Sequence, residues 1–223
     1  MIGVKICGVC HPADGALAVG AGATHVGVIL GAGGPRVRTE SEAVAIFAAV
    51  ADAVRVGVFA DADPRHVIEV ANRLALGAVQ LHGAETPDIV AEIAASGAWQ
   101  VWKAVRPDTA DELAASLARW SALVDALLID AAVKGRTGGT GVAAPWKALA
   151  AARWQGRPSL VLAGGLRPDN IAEAIDVLTP DIVDVSSGVE ASIGRKDPER
   201  VGAFVRNARS AARPAETAGR SAQ

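Results

Sequence analysis

Val4-Lys5-Ile6-Cys7-Gly8-Val9-Cys10-His11-Pro12 runs from a short apolar strand through a glycine that opens a loop to a proline where a helix begins. A strand alternates its faces, so Lys5 and Cys7 point one way and Ile6 the other. Proline at a first helical position loses nothing, because its missing N–H would have had no partner there. Cys7 closes the strand. A free thiol at that place is open to two readings, as buried filler or as a reactive group at a ligand site.

The same unit recurs eight times. Apolar runs at Val4–Cys7, His25–Ile29, Val54–Phe59, Gly77–His82, Gln100–Val105, Ala126–Asp130, Ser159–Ala163 and Ile182–Ser186 read as strands. They are apolar almost throughout, as parallel strands covered on both faces require. Ala-rich segments of helical length lie between them. His11-Pro12, Asp63-Pro64, Thr86-Pro87, Arg106-Pro107, Ala144-Pro145, Arg167-Pro168 and Asp197-Pro198 each put a proline at or just ahead of a helix start. The second helix instead carries the capping box Thr39-x-x-Glu42. Asp63, Thr86 and Asp197 have the side chains of good N-caps. Eight strand–helix units in one short chain predict an α/β fold, a (β/α)8 TIM barrel over residues 1–211 without inserted domains. The competitor, a doubly wound open sheet, would carry a glycine-rich fingerprint after its first strand, and Gly8-Val9-Cys10-His11-Pro12 is not one. Residues 212–223, rich in Ala, Arg, Ser and Thr, read as a disordered tail.

Bulk composition excludes several classes. With 223 residues, 51% hydrophobic and 21% charged, the chain has ample material for a core. A formal charge of -2 without a basic block leaves no nucleic-acid footprint. The best apolar run, Ala43 to Ala51, stops at Asp52, far short of a membrane span. No signal peptide precedes the first strand. Cys7 and Cys10 form a C-x-x-C pair, but a dithiol redox motif would open a helix, and zinc would need a second ligand pair. The four histidines, at 11, 25, 66 and 82, are scattered. A reduced, cytoplasmic protein without a metal is the expectation.

In this barrel the active site is built from strand C-termini and the loops that follow. The tips carry Cys7, His82, Asp130, Gly164-Gly165, and Asp184 with Ser186-Ser187-Gly188. Small-residue loops after strands seven and eight let backbone N–H groups approach an anion, so these two loops predict a phosphate site. Lys134-Gly135-Arg136-Thr137-Gly138-Gly139-Thr140-Gly141, long and glycine-rich after Asp130, reads as a mobile lid and not as a Walker loop. Asp130 either caps a turn or serves as an acid facing a base. Arg36 and Arg38 are surface charges, or a guanidinium clamp for a carboxylate. His82 is equally a core histidine or a site residue.

Lys5-Ile6-Cys7-Gly8, Gln80-Leu81-His82-Gly83-Ala84-Glu85, Gly138-Gly139-Thr140-Gly141, Ala163-Gly164-Gly165-Leu166 and Asp184-Val185-Ser186-Ser187-Gly188-Val189-Glu190 together resemble the phosphoribosylanthranilate isomerase family of tryptophan biosynthesis. The resemblance spans Val4 to about Ala208, in the family's order and spacing. It implies the (β/α)8 fold and an Amadori rearrangement of N-(5-phosphoribosyl)anthranilate, a small phosphoribosyl substrate, with no cofactor or metal. It further implies that Cys7 is the general base at C2 of the sugar and that Asp130 is the acid that protonates the furanose oxygen. Arg36 then holds the anthranilate carboxylate. Gly164, Gly165, Ser186, Ser187 and Gly188 bind phosphate, and His82 and Asp184 line the pocket without an assigned step. Lys5, on the face of Cys7, is a candidate for lowering the thiol pKa, which is ordinarily about 8.5.

Two departures stand out. Ala144-Pro145-Trp146 replaces the family's usual Phe-Asp-Trp, which bears on lid anchoring and the start of helix six. Cys10 takes a position usually held by a hydroxyl or amide residue. The alternatives are another phosphosugar isomerase or epimerase on the same barrel, or a non-catalytic phosphosugar-binding barrel. The sequence leaves open monomer or homodimer.

Overall fold

The computed structural model describes residues 1–31, 33–130, 146–152 and 158–212. Within it β1 (Gly3–Ile6), β2 (His25–Gly31), β3 (Val54–Phe59) and β4 (Ala78–Leu81) are followed by β5 (Gln100–Val105), β6 (Ala126–Asp130), β7 (Ser159–Ala163) and β8 (Ile182–Val185). Each strand pairs in parallel with the next, and β8 pairs back on β1 to close the barrel. Between them lie α1 (Pro12–Ala21), α2 (Glu40–Ala48), α3 (Pro64–Arg73), α4 (Pro87–Ala95) and α5 (Ala110–Trp120). The short α6 (Trp146–Leu149), α7 (Ile171–Leu178) and α8 (Pro198–Ala211) complete the outer ring. The expected (β/α)8 architecture is the observed one. One addition is a small antiparallel pair between β8 and α8, formed by β9 (Glu190–Ser192) and β10 (Arg195–Lys196).

Local chemistry explains the helix starts. Thr39 and Glu42 make the full reciprocal capping box of α2. Asp63 accepts from the N–H groups of Arg65 and His66, Thr86 from Ile89, and Asp197 from Glu199 and Arg200. Each such cap is worth about 1 kcal/mol. Pro107 and Pro168 stand ahead of their helices rather than inside them. α5 starts from Thr109, whose side chain accepts from Glu112 N–H. α7 is entered from Asn170, whose side chain is committed elsewhere.

Strand ends differ by a residue or two from the sequence reading. β1, β4 and β8 stop at Ile6, Leu81 and Val185, and β2 runs on to Gly31. The hydrogen-bond ladder nevertheless reaches the tips: Cys7 N–H donates to Val185 O (2.8 Å) and His82 N–H to Phe59 O (2.7 Å). Ala212 caps α8. Residues 213–223, the loop 134–141 and Ala144-Pro145 lie outside the described residues.

The core has two compartments. The larger packs outward-facing strand residues such as Val4, Ile6, Leu127, Ile129, Leu160 and Leu162 against the helices. The smaller holds Val56, Ala78, Trp102, Ala126, Leu128, Val161 and Ala163, with the pairs Ala126/Leu128 and Val161/Ala163 two apart on their strands. That spacing puts them on the inward face, so they fill the barrel interior. Trp102 is fully buried there, and truncating such a side chain costs about 3–5 kcal/mol. The His25 ring lies tilted against it, centroids 5.3 Å apart, and burial, reinforced by Lys5, pushes the imidazole down to about 4. Among the described residues no helix is long and apolar enough to cross a membrane.

Candidate active site

The inward face continues upward past the interior layer. Two residues beyond Leu128 comes Asp130, two beyond Lys5 comes Cys7, two beyond Gln80 comes His82, and two beyond Ile182 comes Asp184. The period of a strand therefore delivers four polar side chains to the mouth of the barrel. They line a cleft of about 330 Å³. Arg36, Gly164, Gly165, Ser186, Ser187 and Gly188 line the same cleft. The ten residues given a site role by the resemblance are thus brought to one place, whereas Arg38, the other candidate clamp, is spent on Glu42 and the Pro35 carbonyl.

Cys7 sits beside a buried ion pair. Lys5 Nζ donates to Asp184 Oδ2 at 2.9 Å, with the lysine side chain entirely buried. Burial disfavours the Lys5 ammonium, but Asp184 and Cys7 together outweigh it and raise its pKa. The thiol behaves differently. Burial pushes Cys7 up, Lys5 pulls it down, and burial wins. Lys5 therefore acts in the direction expected from the sequence without lowering the thiol below its ordinary value. Asp184 keeps its second oxygen, Oδ1, buried and without a partner among the described residues.

Asp130 is held by two bases. Arg106 Nε donates to its Oδ2 at 2.9 Å, and His82 Nε2 lies 3.6 Å from the same atom. Burial alone would raise this carboxyl, yet His82 and Arg106 hold it below the usual range. Arg106 Nη2 also approaches His82 Nε2 at 3.2 Å. A guanidinium can only donate, so this contact is a hydrogen bond only in the tautomer that leaves Nε2 bare, whereas a proton on Nε2 is the one that supports the Asp130 carboxylate. Gln80 Nε2, an amide nitrogen and likewise a donor, lies 2.9 Å from His82 Nδ1, which accepts from it in that second tautomer, while Gln80 Oε1 has no partner among the described residues. The chain Gln80–His82–Arg106–Asp130 was not anticipated from the sequence. Arg106 follows the end of β5, so the strand-tip rule could have found it.

Below His82 the loop after β4 is pinned by a second buried pair. Lys103 Nζ bonds Glu85 Oε2 at 2.9 Å and the carbonyls of Leu81, Gly83 and Ala104. Glu85 Oε1 in turn accepts from the N–H groups of Asp61 and Gly83. This explains Glu85 in the motif as a structural staple for the loop that carries His82.

The opposite wall is built from backbone. Gly164 and Gly165 both have left-handed φ values, 87° and 66°, which L side chains rarely adopt. Asn170 closes this turn, donating to Gly165 O (3.0 Å) and accepting from Arg167 N–H (2.8 Å). Gly188 is required by close approach: a Cβ there would stand 1.9 Å from Leu166 O. The loops after β7 and β8 thus touch, backbone against backbone. Successive glycines of this kind form concavities that take anions.

Arg36 reaches the cleft from the loop after β2. Its Nε and Nη2 donate to the two oxygens of Glu190 at 2.8 and 2.6 Å. Its remaining nitrogen, Nη1, has no partner among the described residues. Cys10 points away from this chemistry, its thiol directed at the carbonyls of Gly8 and Arg36. Among the described residues no cluster of three His, Cys, Asp or Glu side chains could hold a metal ion.

Comparison with known proteins gives the same answer along the whole chain. The family model for N-(5'-phosphoribosyl)anthranilate isomerase matches residues 4–207. The N-(5'-phosphoribosyl)anthranilate isomerase of Trichlorobacter lovleyi is 41% identical over 212 residues, covering 95% of this chain and 100% of that protein. The crystal structure of the phosphoribosylanthranilate isomerase from Thermotoga maritima superposes with a TM-score of 0.85 at 34% identity, covering 94% of this chain and 100% of that one. A structure of such an isomerase in complex with reduced 1-(o-carboxyphenylamino)-1-deoxyribulose 5-phosphate superposes with a TM-score of 0.81, at 34% identity and with the same coverage.

Proposed function

The chain belongs to the N-(5'-phosphoribosyl)anthranilate isomerase family, enzymes of tryptophan biosynthesis, and from that premise we propose that Cys7 and Asp130 are the base and the acid of its Amadori rearrangement. The substrate is N-(5-phosphoribosyl)anthranilate and the product 1-(2-carboxyphenylamino)-1-deoxyribulose 5-phosphate. Asp130 gives a proton to the furanose oxygen as the C1–O bond breaks, leaving a protonated Schiff base. The C2 proton is then acidic, and the Cys7 thiolate removes it. The resulting enolamine tautomerises to the ketone. No step calls for a cofactor.

The observation that supports this reading best is that the Cys7 thiol and the Asp130 carboxylate line the same small cleft. The rest of the wall fits the substrate's other groups. The touching glycine loops suit the phosphate. Arg36 Nη1 suits the anthranilate carboxylate, since charge-assisted guanidinium contacts are the strong ones. Asp184 Oδ1, shielded and unpartnered among the described residues, suits a sugar hydroxyl as donor, and His82 packs beside Asp130.

The test is direct. Purified Cys7→Ala and Asp130→Asn proteins should each lose about 10²–10⁴-fold in kcat while their circular dichroism is unchanged. Neither should rescue a tryptophan auxotroph that lacks this isomerase, whereas the parent chain should. Near-normal kcat in a folded Cys7→Ala protein would remove the base assignment.

A further inference from the structure

The β9–β10 pair lies outside the barrel, yet its side chains bond Arg36 and Ser186, two residues of the cleft. Glu190 opens it and takes Arg36 in a two-point fork. Lys196 closes it, with Nζ 3.1 Å from Glu190 Oε1 and 3.1 Å from Ser186 O. Both side chains are buried, at 5% and 0% exposure. Their main chain is held as well: Arg200 Nη1 donates to Glu190 O (2.6 Å), and Lys196 N–H donates to Asp14 Oδ2 (3.2 Å).

Such a construction is expensive if it does nothing. Burying an ion pair seldom gains stability over an apolar replacement. A carboxylate placed on an arginine also weakens that arginine's pull on any other anion. What the fork does supply is aim. A free arginine has several rotors to freeze when it binds, and a planar two-point contact freezes them beforehand. With Nε and Nη2 engaged, the guanidinium plane is set and Nη1 is the edge left over.

We propose that Glu190 is a positioning residue that aims Arg36 at the carboxylate of the substrate's aromatic amine, and that Lys196 locks Glu190 while anchoring the phosphate loop through Ser186. This rests on Arg36 holding that carboxylate. It adds a specificity determinant, so that the enzyme discriminates between arylamine sugars with and without an ortho carboxylate through a residue that touches neither. Burial pushes the Lys196 amine below its ordinary value, and Glu190 offsets only part of that.

Two ligands separate the outcomes: reduced 1-(2-carboxyphenylamino)-1-deoxyribulose 5-phosphate and the same compound without its carboxylate. Binding of both is measured by calorimetry to the parent, Arg36→Met, Glu190→Gln and the double variant Arg36→Met/Glu190→Gln. Glu190→Gln should weaken the carboxylated ligand by about five- to tenfold, within the range for one charge-assisted contact, and leave the other ligand unchanged. With Arg36 already removed, Glu190→Gln should cost nothing further, and KM should rise more than kcat falls. Because Glu190→Gln strands the buried Lys196 ammonium, Glu190→Gln/Lys196→Met is made alongside and should show the same selective loss. Equal loss of both ligands, or an undiminished Glu190 effect in the Arg36→Met background, overturns the proposal. If Arg36→Met is selective and the Glu190 variants are not, positioning alone is wrong. Should Arg36→Met itself lose both ligands equally, the carboxylate assignment falls and the proposal with it.

Discussion

Arg106 Nε donates to Asp130 Oδ2 across 2.9 Å, so the carboxylate assigned to deliver a proton rests against a group that favours its ionised form. Cys7, assigned to accept one, is held in its protonated form by burial. The free enzyme therefore stores its one proton on the wrong partner, and chemistry runs through the minor arrangement. A bell-shaped pH profile of kcat/KM follows. Its acid limb belongs to Asp130, because below that pKa both groups are protonated. Its alkaline limb belongs to Cys7, because above that pKa both are bare. Arg106→Met raises the Asp130 pKa, so the acid limb should move to higher pH while the alkaline limb stays. Movement of the alkaline limb alone would reverse the assignment.

Lys5 opposes the burial of Cys7 without overcoming it. Replacing Lys5 alone would strand Asp184, so the neutral double change Lys5→Met/Asp184→Asn is the informative one. Asp184 also acts on Cys7, in the opposite sense and more weakly. The thiol pKa should therefore rise further. Alkylation rate against pH, in a Cys10→Ser background, reads this as a midpoint moved upward. A lowered midpoint would show that Lys5 has no hold on the thiol.

His25 should make the fold acid-sensitive. It is buried neutral against Trp102 with its pKa lowered to about 4, whereas the unfolded chain protonates it near about 6.5. The unfolded state thus binds the extra proton between those values. Stability is complete above the unfolded value and is lost as pH falls through the folded one, by up to about 3 kcal/mol. Denaturant titrations of His25→Phe across that window should lack this slope. An unchanged slope would place the acid sensitivity elsewhere.

Gly188 should decide the phosphate site. A methyl group there collides with the Leu166 carbonyl, so Gly188→Ala must part the loops after β7 and β8. A ligand at a hundred times its Kd stabilises by about 2.7 kcal/mol. Most of the corresponding rise in Tm should vanish in Gly188→Ala, with the unliganded Tm measured alongside. A full ligand shift in the folded variant would put the phosphate somewhere else.

Much of this molecule is local in origin, and that part was readable. Strand alternation predicts that Lys5 and Cys7 share a face, the strand-tip rule of the barrel gathers Cys7, His82, Asp130 and Asp184, and cap chemistry at Thr39, Asp63, Thr86 and Asp197 marks helix starts. What local pattern cannot carry is pairing at a distance. Arg36 and Glu190 are 154 residues apart, and only the closed fold shows that each answers the other. Arg106 looked like a residue ahead of a proline because its partner Asp130 lies on the next strand. For the thiol, Lys5 is visible in sequence as a neighbour that lowers its pKa, but the burial that outweighs Lys5 is not.

Lys5 and Asp184 sit 179 positions apart and face each other in register, on the first strand and the last. The surroundings of the thiol are therefore complete only once the sheet has joined end to end. Contacts of such long sequence separation are late and slow to form. An N-terminal half barrel, however well ordered, should carry Cys7 as an ordinary exposed thiol. Its reactivity is then a built-in clock for ring closure, and in pulse-labelling during refolding, protection of Cys7 should coincide with the first appearance of enzyme activity.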